Sequence, residues 1–466
     1  MAGIFVSWIF FLSVGLLVSS RDFFRGRPSS AIGAAMAVSI ASATWVSPVI
    51  AGVMVDVRVS LAAVLLVAFC FHPRGRFCLR WNWLDAVAIS FMLFGCVSDW
   101  RADGFNAVSS LQLYGEILLP YFAGRFMAMR RDSAGAVASS FCGAGVLIAI
   151  GCVVEGFSGW NVWEWLFAPM DDLVSRYRDV RYEFSFRAAG PTRHPIFLGV
   201  VLILLMPWSF LLICRSEHSR MKYLGWFGLT GFLFGIVSTV SRGPFIGLAL
   251  ATIFSISIRW PRSAKWLVAL GAITTFMIAL FWMPFMAIIE ATESKEVRSR
   301  VIEVGNENVV YSGTRNRLWV WEIYGPLVIK GGPLGFGTDA VSSFPPNIPG
   351  LPASTKARET LGIVDNSYLL TGLRFGWIGL SLFLVLIFGS IVTAIRLRRS
   401  AGMILYPDGP AFLTALASCL IGVSFVMLTV FSSFDFMFWV YFHCGVVAGL
   451  ASLRDSMLRG DIDVAA

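Results

Sequence analysis

Polar residues that could do chemistry are concentrated in four short segments of an otherwise apolar chain. The last of them reads DNSYLLTGLRFGWIG and begins with Asp365 and Asn366. A carboxylate can accept a proton from a hydroxyl group, so Asp365 is the candidate general base, and the Asn366 amide could orient a polar ligand. The alternative for Asp365 is structural, because an aspartate at this position can cap the helix that follows.

The other three segments are cationic and read SFRAAGPTRHP, VSRGPF and TRNRLWVW. They contribute the candidate ligand-binding residues Arg187, His194, Arg242, Arg315 and Arg317, and the first segment also contains Arg193. A tight reversal needs glycine or proline but no charge, so the turn itself does not explain Arg242. Arg315 and Arg317 fall in the first turn of a predicted helix, where they oppose the helix dipole and indicate an anionic partner. For Arg193 the alternative is a side chain that simply reaches from a membrane span towards water.

The elements that must position these residues are membrane spans. The chain is 57% apolar and 14% charged, with a mean hydropathy of +0.74. Uncharged runs of about 20 residues, enough to cross a ~30 Å hydrocarbon core, recur along it. We therefore predict an all-α polytopic bundle of about 12–13 transmembrane helices, with residues 1–466 as one membrane domain. The clear runs are 1–20, 28–55, 133–154, 194–214, 223–241, 266–289, 375–395, 409–434 and 436–453, and the shorter ones are 59–73, 81–98, 105–124 and 243–258.

The basic residues follow the membrane topology and do not form a nucleic-acid-binding surface. The net charge is +9, and six groups of three basic residues, beginning with Arg21, Arg25 and Arg27, occupy every second gap between spans. Short cytoplasmic loops are enriched in Lys and Arg, so one orientation explains all six groups. It predicts that the loop at 156–193 and the large loop at 289–374 face outward, together with every candidate site residue.

Several other features are expected to be structural. Neither outer loop contains any of the eight cysteines, and no His or Cys spacing matches a metal site, so we predict no metal or cofactor. Glu116 lies within a span, where it is expected to pair with an arginine, to be protonated or to face a cavity. The segment GGPLGFGT lacks the Lys-Ser/Thr pair of a P-loop and is read as a turn.

Four outward-facing arginines and one carboxylate at a membrane surface suit a lipid-linked pyrophosphate. Arginine binds phosphate oxygens in a bidentate manner and stays charged. Glycosyl transfer from such a donor requires that the departing pyrophosphate be stabilised and that the acceptor hydroxyl lose a proton. The arginines could meet the first requirement and Asp365 the second.

These four motifs, in this order and topology, resemble the O-antigen ligase and O-antigen polymerase superfamily over roughly residues 80–450. The family's last motif is His followed by Asn, Ser or Gln, nine residues and G-x-x-G. Asp365-Asn366, nine residues, Gly376 and Gly379 fit that pattern, except that Asp replaces His. The resemblance implies an all-helical bacterial inner-membrane bundle with a periplasmic active site and no metal. It further implies that Arg187 and Arg242 contact undecaprenyl pyrophosphate and that residue 365 activates the acceptor.

The substitution at position 365 favours a polymerase of the Wzy type, or an exopolysaccharide polymerase, over a ligase to lipid A–core. The implied partners are the undecaprenyl-pyrophosphate-linked oligosaccharide, the bilayer and a chain-length regulator or export complex. Three alternatives stay open: the ligase, a flippase for lipid-linked oligosaccharides, and a non-catalytic assembly partner. Transporters tend to place charges near the membrane midplane, whereas the charges here, apart from Asp85 and Glu116, are predicted at the outer edge.

Overall fold

A computed structural model of the full chain describes most of the helical bundle. The residues it describes are 2–71, 80–127, 134–167, 186–214, 219–260, 262, 265–266, 301–304, 307–310, 313–342, 347–350, 364–404 and 409–459. The predicted span at 266–289 lies almost wholly outside them, as do parts of both predicted outer loops.

The described chain is helical apart from two short hairpins. The helices of the first half are α1 (Ala2–Phe24), α2 (Pro28–Ala41), α3 (Val57–Phe71), α4 (Trp83–Asp103), α5 (Ala107–Leu113), α6 (Leu119–Met127), α7 (Ala134–Ser158) and α8 (Val162–Leu166). Those of the second half are α9 (Pro195–Cys214), α10 (Ser219–Ser238), α11 (Arg242–Arg259), α12 (Gly313–Lys330), α13 (Thr338–Ser342), α14 (Ser367–Ile404), α15 (Gly409–Val426) and α16 (Phe434–Leu458). A π-helical turn (Tyr114–Leu118) joins α5 to α6, and the antiparallel hairpins are β1–β2 (Val49–Ile50, Val53–Met54) and β3–β4 (Val301–Val304, Glu307–Val310).

The chain is an all-α polytopic membrane protein, as predicted. Within the described residues, seven helices are long and apolar enough to cross a membrane: α1, α4, α7, α9, α14, α15 and α16. The predicted span 28–55 is wrong in its second half, because α2 ends at Ala41. There Ser42 is extended and the Thr44 N–H donates to the Pro191 carbonyl, after which the chain forms the β1–β2 hairpin.

Helices α9 and α16 form the buried centre of the bundle. In the most apolar 18-residue stretches of α9 and α16, 83% and 100% of the residues are buried. Close helix approach depends on small residues, as is common in membranes, where apolar association alone provides little driving force. A Cβ on Gly124 of α6 would collide with the Phe442 carbonyl of α16, and one on Gly422 of α15 would collide with the Gly247 carbonyl of α11.

One end of the bundle carries basic residues from the groups of three, such as Arg21 and Arg80, and we call it the triplet end. A buried ion pair fixes this end: Arg125 Nε lies 2.7 Å from Asp85 Oδ1, and the Tyr121 hydroxyl donates to the same oxygen at 2.9 Å. The Asp85 carboxylate also belongs to the capping box of α4. This ionisable residue in a span is therefore structural.

At the opposite end, here called the site end, α14 is kinked and a glycine-rich turn packs into the kink. Gly376 adopts φ +66° and interrupts the helical hydrogen bonding of α14. The Phe336 and Gly337 N–H groups, in the turn between α12 and α13, donate to the carbonyls of Leu373 and Arg374 at 2.7 and 3.0 Å. The GGPLGFGT segment is thus a turn, as predicted, and it holds α12 against α14.

Candidate functional site

Arg187 is positioned by a loop that is anchored on both sides. The Gly190 N–H donates to Glu155 Oε2 at 2.8 Å, and the Asn161 amide bridges Glu155 Oε1 and the Gly190 carbonyl at 3.0 Å each. On the other side, the Ala188 N–H donates to the Ser238 carbonyl at 3.0 Å. These bonds fix the backbone on both sides of a half-buried arginine, so its guanidinium needs little ordering to bind a ligand.

Arg242 lies next to Arg187, at the N-terminus of α11. Arg187 Nη2 donates to Ser241 Oγ at 3.0 Å, and Ser241 is the N-cap residue of α11. Val240 adopts φ +45°, a conformation that is rare for a β-branched residue and that recurs at functional sites. The Arg187 guanidinium is therefore held at the N-terminus of the helix that Arg242 begins, which is a favourable place for an anion.

Asp365 and Asn366 stand at the start of α14, and their roles differ. The Asn366 side chain is the helix cap: its Oδ1 accepts from the N–H groups of Tyr368 and Leu369 at 3.0 Å each, and its Nδ2 donates to the Leu428 carbonyl at 3.0 Å. Asn366 is completely buried. The interpretation of Asp365 as the cap is wrong, because Asn366 fills that role and leaves the Asp365 carboxylate available for another one.

The charge environment of Asp365 is set by burial and by Arg317. Burial raises the pKa of the Asp365 carboxyl to about 6, while the attraction of the Arg317 guanidinium acts in the opposite direction. Arg317 reaches this position because α12 packs on the start of α14 through a separate apolar cluster that includes Val320, Tyr324 and Leu369. Arg315 lies in the same helix turn, and its side chain is outside the described part of the chain.

A short segment that begins at the last residue of α15, 426–431, brings these groups together; we call it the floor segment. Its Leu428 and Val430 carbonyls accept from the Asn366 amide and the Ser367 hydroxyl, the latter at 2.7 Å. On the other side, Gly243 lies against it, since a Cβ there would be 3.5 Å from Val426 Cγ1. The arginine turn and the start of α14 are therefore adjacent, although more than 120 residues separate them in the sequence.

His194 lies at the edge of the same group. Its ring is 5.2 Å from the Phe197 ring, which is in turn 5.2 Å from the ring of Phe431 in the floor segment. The His194 Nδ1 accepts from the Ile196 N–H at 3.1 Å, so one ring nitrogen helps to shape the start of α9. The structure thus places His194 at the site end, where its Nδ1 already accepts a hydrogen bond from the backbone.

Arg193 belongs to a buried ionic network and not to the arginine pair. Its backbone N–H donates to Asp435 Oδ2 at 2.8 Å, and its Nη2 donates to the Thr44 carbonyl at 3.1 Å. The Asp435 carboxylate also accepts from the Thr44 hydroxyl at 3.0 Å, and the Asp435 carbonyl accepts from Arg58 at 2.9 Å. Arg58 pairs with Asp56 at 2.7 Å. The network joins the starts of α3, α9 and α16.

Sequence reasoning missed the residues that position the site, notably Glu155, Asn161 and Asp435. A signal for two of them was present, because an acidic residue at the end of an apolar run is costly and usually has a partner. Their partners include the Gly190 N–H and the Arg193 backbone N–H, which are main-chain groups that carry no residue-type signal. In the described residues, no group of three His, Cys, Asp or Glu side chains is placed to hold a metal ion.

Comparison with known proteins connects this geometry to a family. A comparison with curated proteins finds no significant match. The family model described as O-antigen ligase matches residues 227–384, a region that contains Arg242, Arg317 and Asp365. The match contains three of the four motifs and supports the resemblance to the O-antigen ligase and polymerase superfamily, to which residues 227–384 of this polytopic membrane protein are similar.

Proposed function

We propose that the protein is a membrane glycosyltransferase that joins glycan repeat units carried on undecaprenyl pyrophosphate, at the periplasmic face of the inner membrane. The observation that carries the proposal is the convergence of the Arg187–Arg242 pair and the Asp365–Arg317 pair on one floor segment. Paired arginines at a helix N-terminus suit a pyrophosphate, and a carboxylate beside them suits a hydroxyl acceptor. The basic groups at the triplet end support the periplasmic orientation of the site.

In the proposed reaction, the hydroxyl oxygen of the acceptor sugar attacks the anomeric carbon of the donor. The Asp365 carboxylate takes the hydroxyl proton, and the bond between the anomeric carbon and the pyrophosphate oxygen breaks with its electron pair on that oxygen. Arg187 and Arg242 neutralise the charge that develops on the leaving group. The pKa of Asp365, about 6, lies closer to neutral pH than that of an ordinary aspartate, which improves a general base.

Two readings of the acceptor remain, and different observations favour them. Aspartate in place of the family's histidine at position 365 favours a polymerase, in which both substrates are lipid-linked repeat units. The family match, described as O-antigen ligase, favours transfer to lipid A–core as the second candidate. Both candidates use the same donor and the same proton transfer, so the acceptor alone separates them.

The test uses the purified full-length protein in nanodiscs, supplied with an undecaprenyl-pyrophosphate-linked repeat unit as the sole glycan. A ladder of longer lipid-linked glycans supports the polymerase. A product that forms only after lipid A–core is added supports the ligase. Movement of the lipid-linked glycan across the bilayer of a liposome, with no new glycosidic bond under either condition, would refute the transferase and identify a flippase.

A cellular test separates the enzyme from a non-catalytic assembly partner. The double variant Asp365→Asn with Arg242→Ala is expected to abolish glycan output while the protein stays in the membrane at its normal level. Unchanged output from that variant would remove both residues from any reaction and leave an assembly role.

A further inference from the structure

A cavity lies beside the ionic network and is lined in part by Asp56 and Arg193. Its volume is about 290 Å³, and its wall is mostly apolar. The lining comes from the β1–β2 hairpin, the first two turns of α3, the stretch from α5 to the start of α6, and Phe434. The transfer reaction described above does not use this cavity.

The cavity has the shape and depth of a slot for one lipid chain in the outer leaflet. It is about twice the ~150 Å³ of an apolar cavity that takes up benzene, so roughly ten chain carbons fit in it. Its wall runs from Leu111 to Leu119, a helical rise of about 12 Å, close to the thickness of one leaflet of a ~30 Å core. Leu111 and Tyr114 line it and are 56% and 38% exposed, so the slot continues to the lipid-facing surface.

A cation stands at the water-facing end of the slot. Arg193 lines the cavity, and its side chain is 32% exposed. Of the five N–H donors of the guanidinium, one is used by the Thr44 carbonyl, and the contact with Asp435 is long, at 3.8 Å. The other ionisable groups of the wall are already engaged, Asp56 with Arg58 and Glu116 with the Gln112 amide. Arg193 therefore keeps N–H donors that can bind an anion, next to a mostly apolar wall.

We infer that this slot binds the second lipid substrate, the lipid-linked acceptor, with a phosphate group at Arg193 and the start of its single prenyl chain between α3 and α5. The inference rests on the proposed function, because a transferase that joins two membrane-anchored glycans needs two separate headgroup positions. Arg187 and Arg193 stand at opposite ends of one fixed loop, and His194 follows directly. The separation of Arg187 from Arg193 lets the donor lipid and the acceptor lipid approach the floor segment from different sides. A single slot suits one chain better than the two chains of a phospholipid.

The test is photolabelling, which requires no turnover. The full-length protein in phosphatidylglycerol nanodiscs is irradiated with a short polyprenyl phosphate that carries a diazirine in its second isoprene unit, and the adducts are mapped by mass spectrometry. Adducts are expected on the segments 59–63 and 111–119, and excess unlabelled polyprenyl phosphate should compete for them. Ala63→Phe places bulk in the slot and should reduce labelling roughly tenfold.

The matched control is Val64→Phe, which introduces the same side chain one residue away on the lipid-exposed side of α3 and should leave labelling unchanged. Labelling spread evenly over lipid-facing helices, or an equal loss in both variants, would overturn the inference. Equal competition by phosphatidylglycerol would also overturn it, because the slot would then hold an ordinary phospholipid. A protein that shows this labelling but transfers no glycan would refute the proposed function alone.

Discussion

Replacing Asp365 with asparagine should make the protein more stable and much less active. The pKa of this carboxyl is about 6, whereas an unfolded aspartate has a pKa of about 3.9. A difference of about two units corresponds to at most ~3 kcal/mol, and partial exposure of the side chain reduces this to about 1–2 kcal/mol. That is the free energy which folding loses by holding the carboxylate ionised at neutral pH. Asparagine removes the charge at nearly constant volume.

The direction of the pH dependence follows from the same shift. Because the folded pKa is raised, the folded state binds more protons between about pH 4 and pH 6, so this contribution to stability is present below pH 4 and is lost as the pH rises through 6. Activity changes in the opposite sense. The ionised fraction is about nine-tenths at pH 7 and about one-tenth at pH 5, so the transfer rate should fall roughly ninefold over that range.

The assay compares the wild type with Asp365→Asn and with a control, Asp339→Asn, which changes an exposed aspartate at the same end of the bundle. Thermal unfolding in nanodiscs is measured at pH 5 and pH 8, and glycan transfer is measured from pH 5 to pH 8. Asp365→Asn should unfold at a higher temperature at pH 8, should show a smaller gain at pH 5, where only part of the stabilising protonation has been lost, and should transfer at least tenfold more slowly. Asp339→Asn should match the wild type in all three measurements.

Two results would refute this reasoning. If Asp365→Asn keeps the wild-type rate and its decline below pH 6, the base is another group. If the variant unfolds at a lower temperature at pH 8, the carboxylate makes stabilising contacts and its ionisation is not costly. If the rate falls and the stability is unchanged, Asp365 is still the general base, but its pKa lies near that of an ordinary aspartate.

Three further substitutions test other parts of the structure. Arg242→Ala should abolish transfer while the protein inserts normally. Arg242→Lys should retain part of the rate, because lysine keeps the charge but not the bidentate geometry. Normal glycan output from Arg242→Ala would exclude the pyrophosphate role. Gly376→Ala should destabilise the fold by more than about 2 kcal/mol, seen as a lower unfolding temperature, because its Cβ would meet the Pro333 carbonyl and its φ is +66°. Asp85→Asn leaves the Arg125 charge buried without its partner and should lower the free energy of unfolding by about 3–5 kcal/mol. The folded fraction should keep its transfer rate per molecule, because the pair lies at the triplet end. A change in that rate would show coupling between the two ends.

The helices could be predicted from the sequence because each one is dictated locally. An apolar run of about 20 residues has few alternatives in a bilayer, so α4, α7 and α9 begin and end close to the predicted runs. The error in the run 28–55 also has a local cause, since hydropathy does not register that an extended chain at Ser42 ends a helix. The length of an apolar run therefore identified a span more reliably than it located the end of that span.

Candidate site residues could be proposed from the sequence, but their arrangement could not. Arg187, Arg242 and Asp365 became candidates because charge is rare in this chain and is costly in a membrane. The floor segment contacts two of the motifs through its carbonyl oxygens and through a close approach at Gly243. Neither contact leaves a pattern in the residue types of the sequence. The assignment of the cap to Asn366 in place of Asp365 likewise depends on where the first turn of α14 begins, and sequence patterns locate such boundaries only to within a residue or two.

The turn that packs into the kink of α14 restricts how proteins of this type can change length. Its N–H groups serve the Leu373 and Arg374 carbonyls that the kink leaves without helical partners, so one residue inserted or deleted between Gly331 and Gly337 would shift that register. The packing of α12 on the start of α14, which brings Arg317 near Asp365, would then be disturbed. Related chains of different size should therefore gain or lose residues before α12 or after α13, and this turn should keep a constant length while those flanking segments diverge.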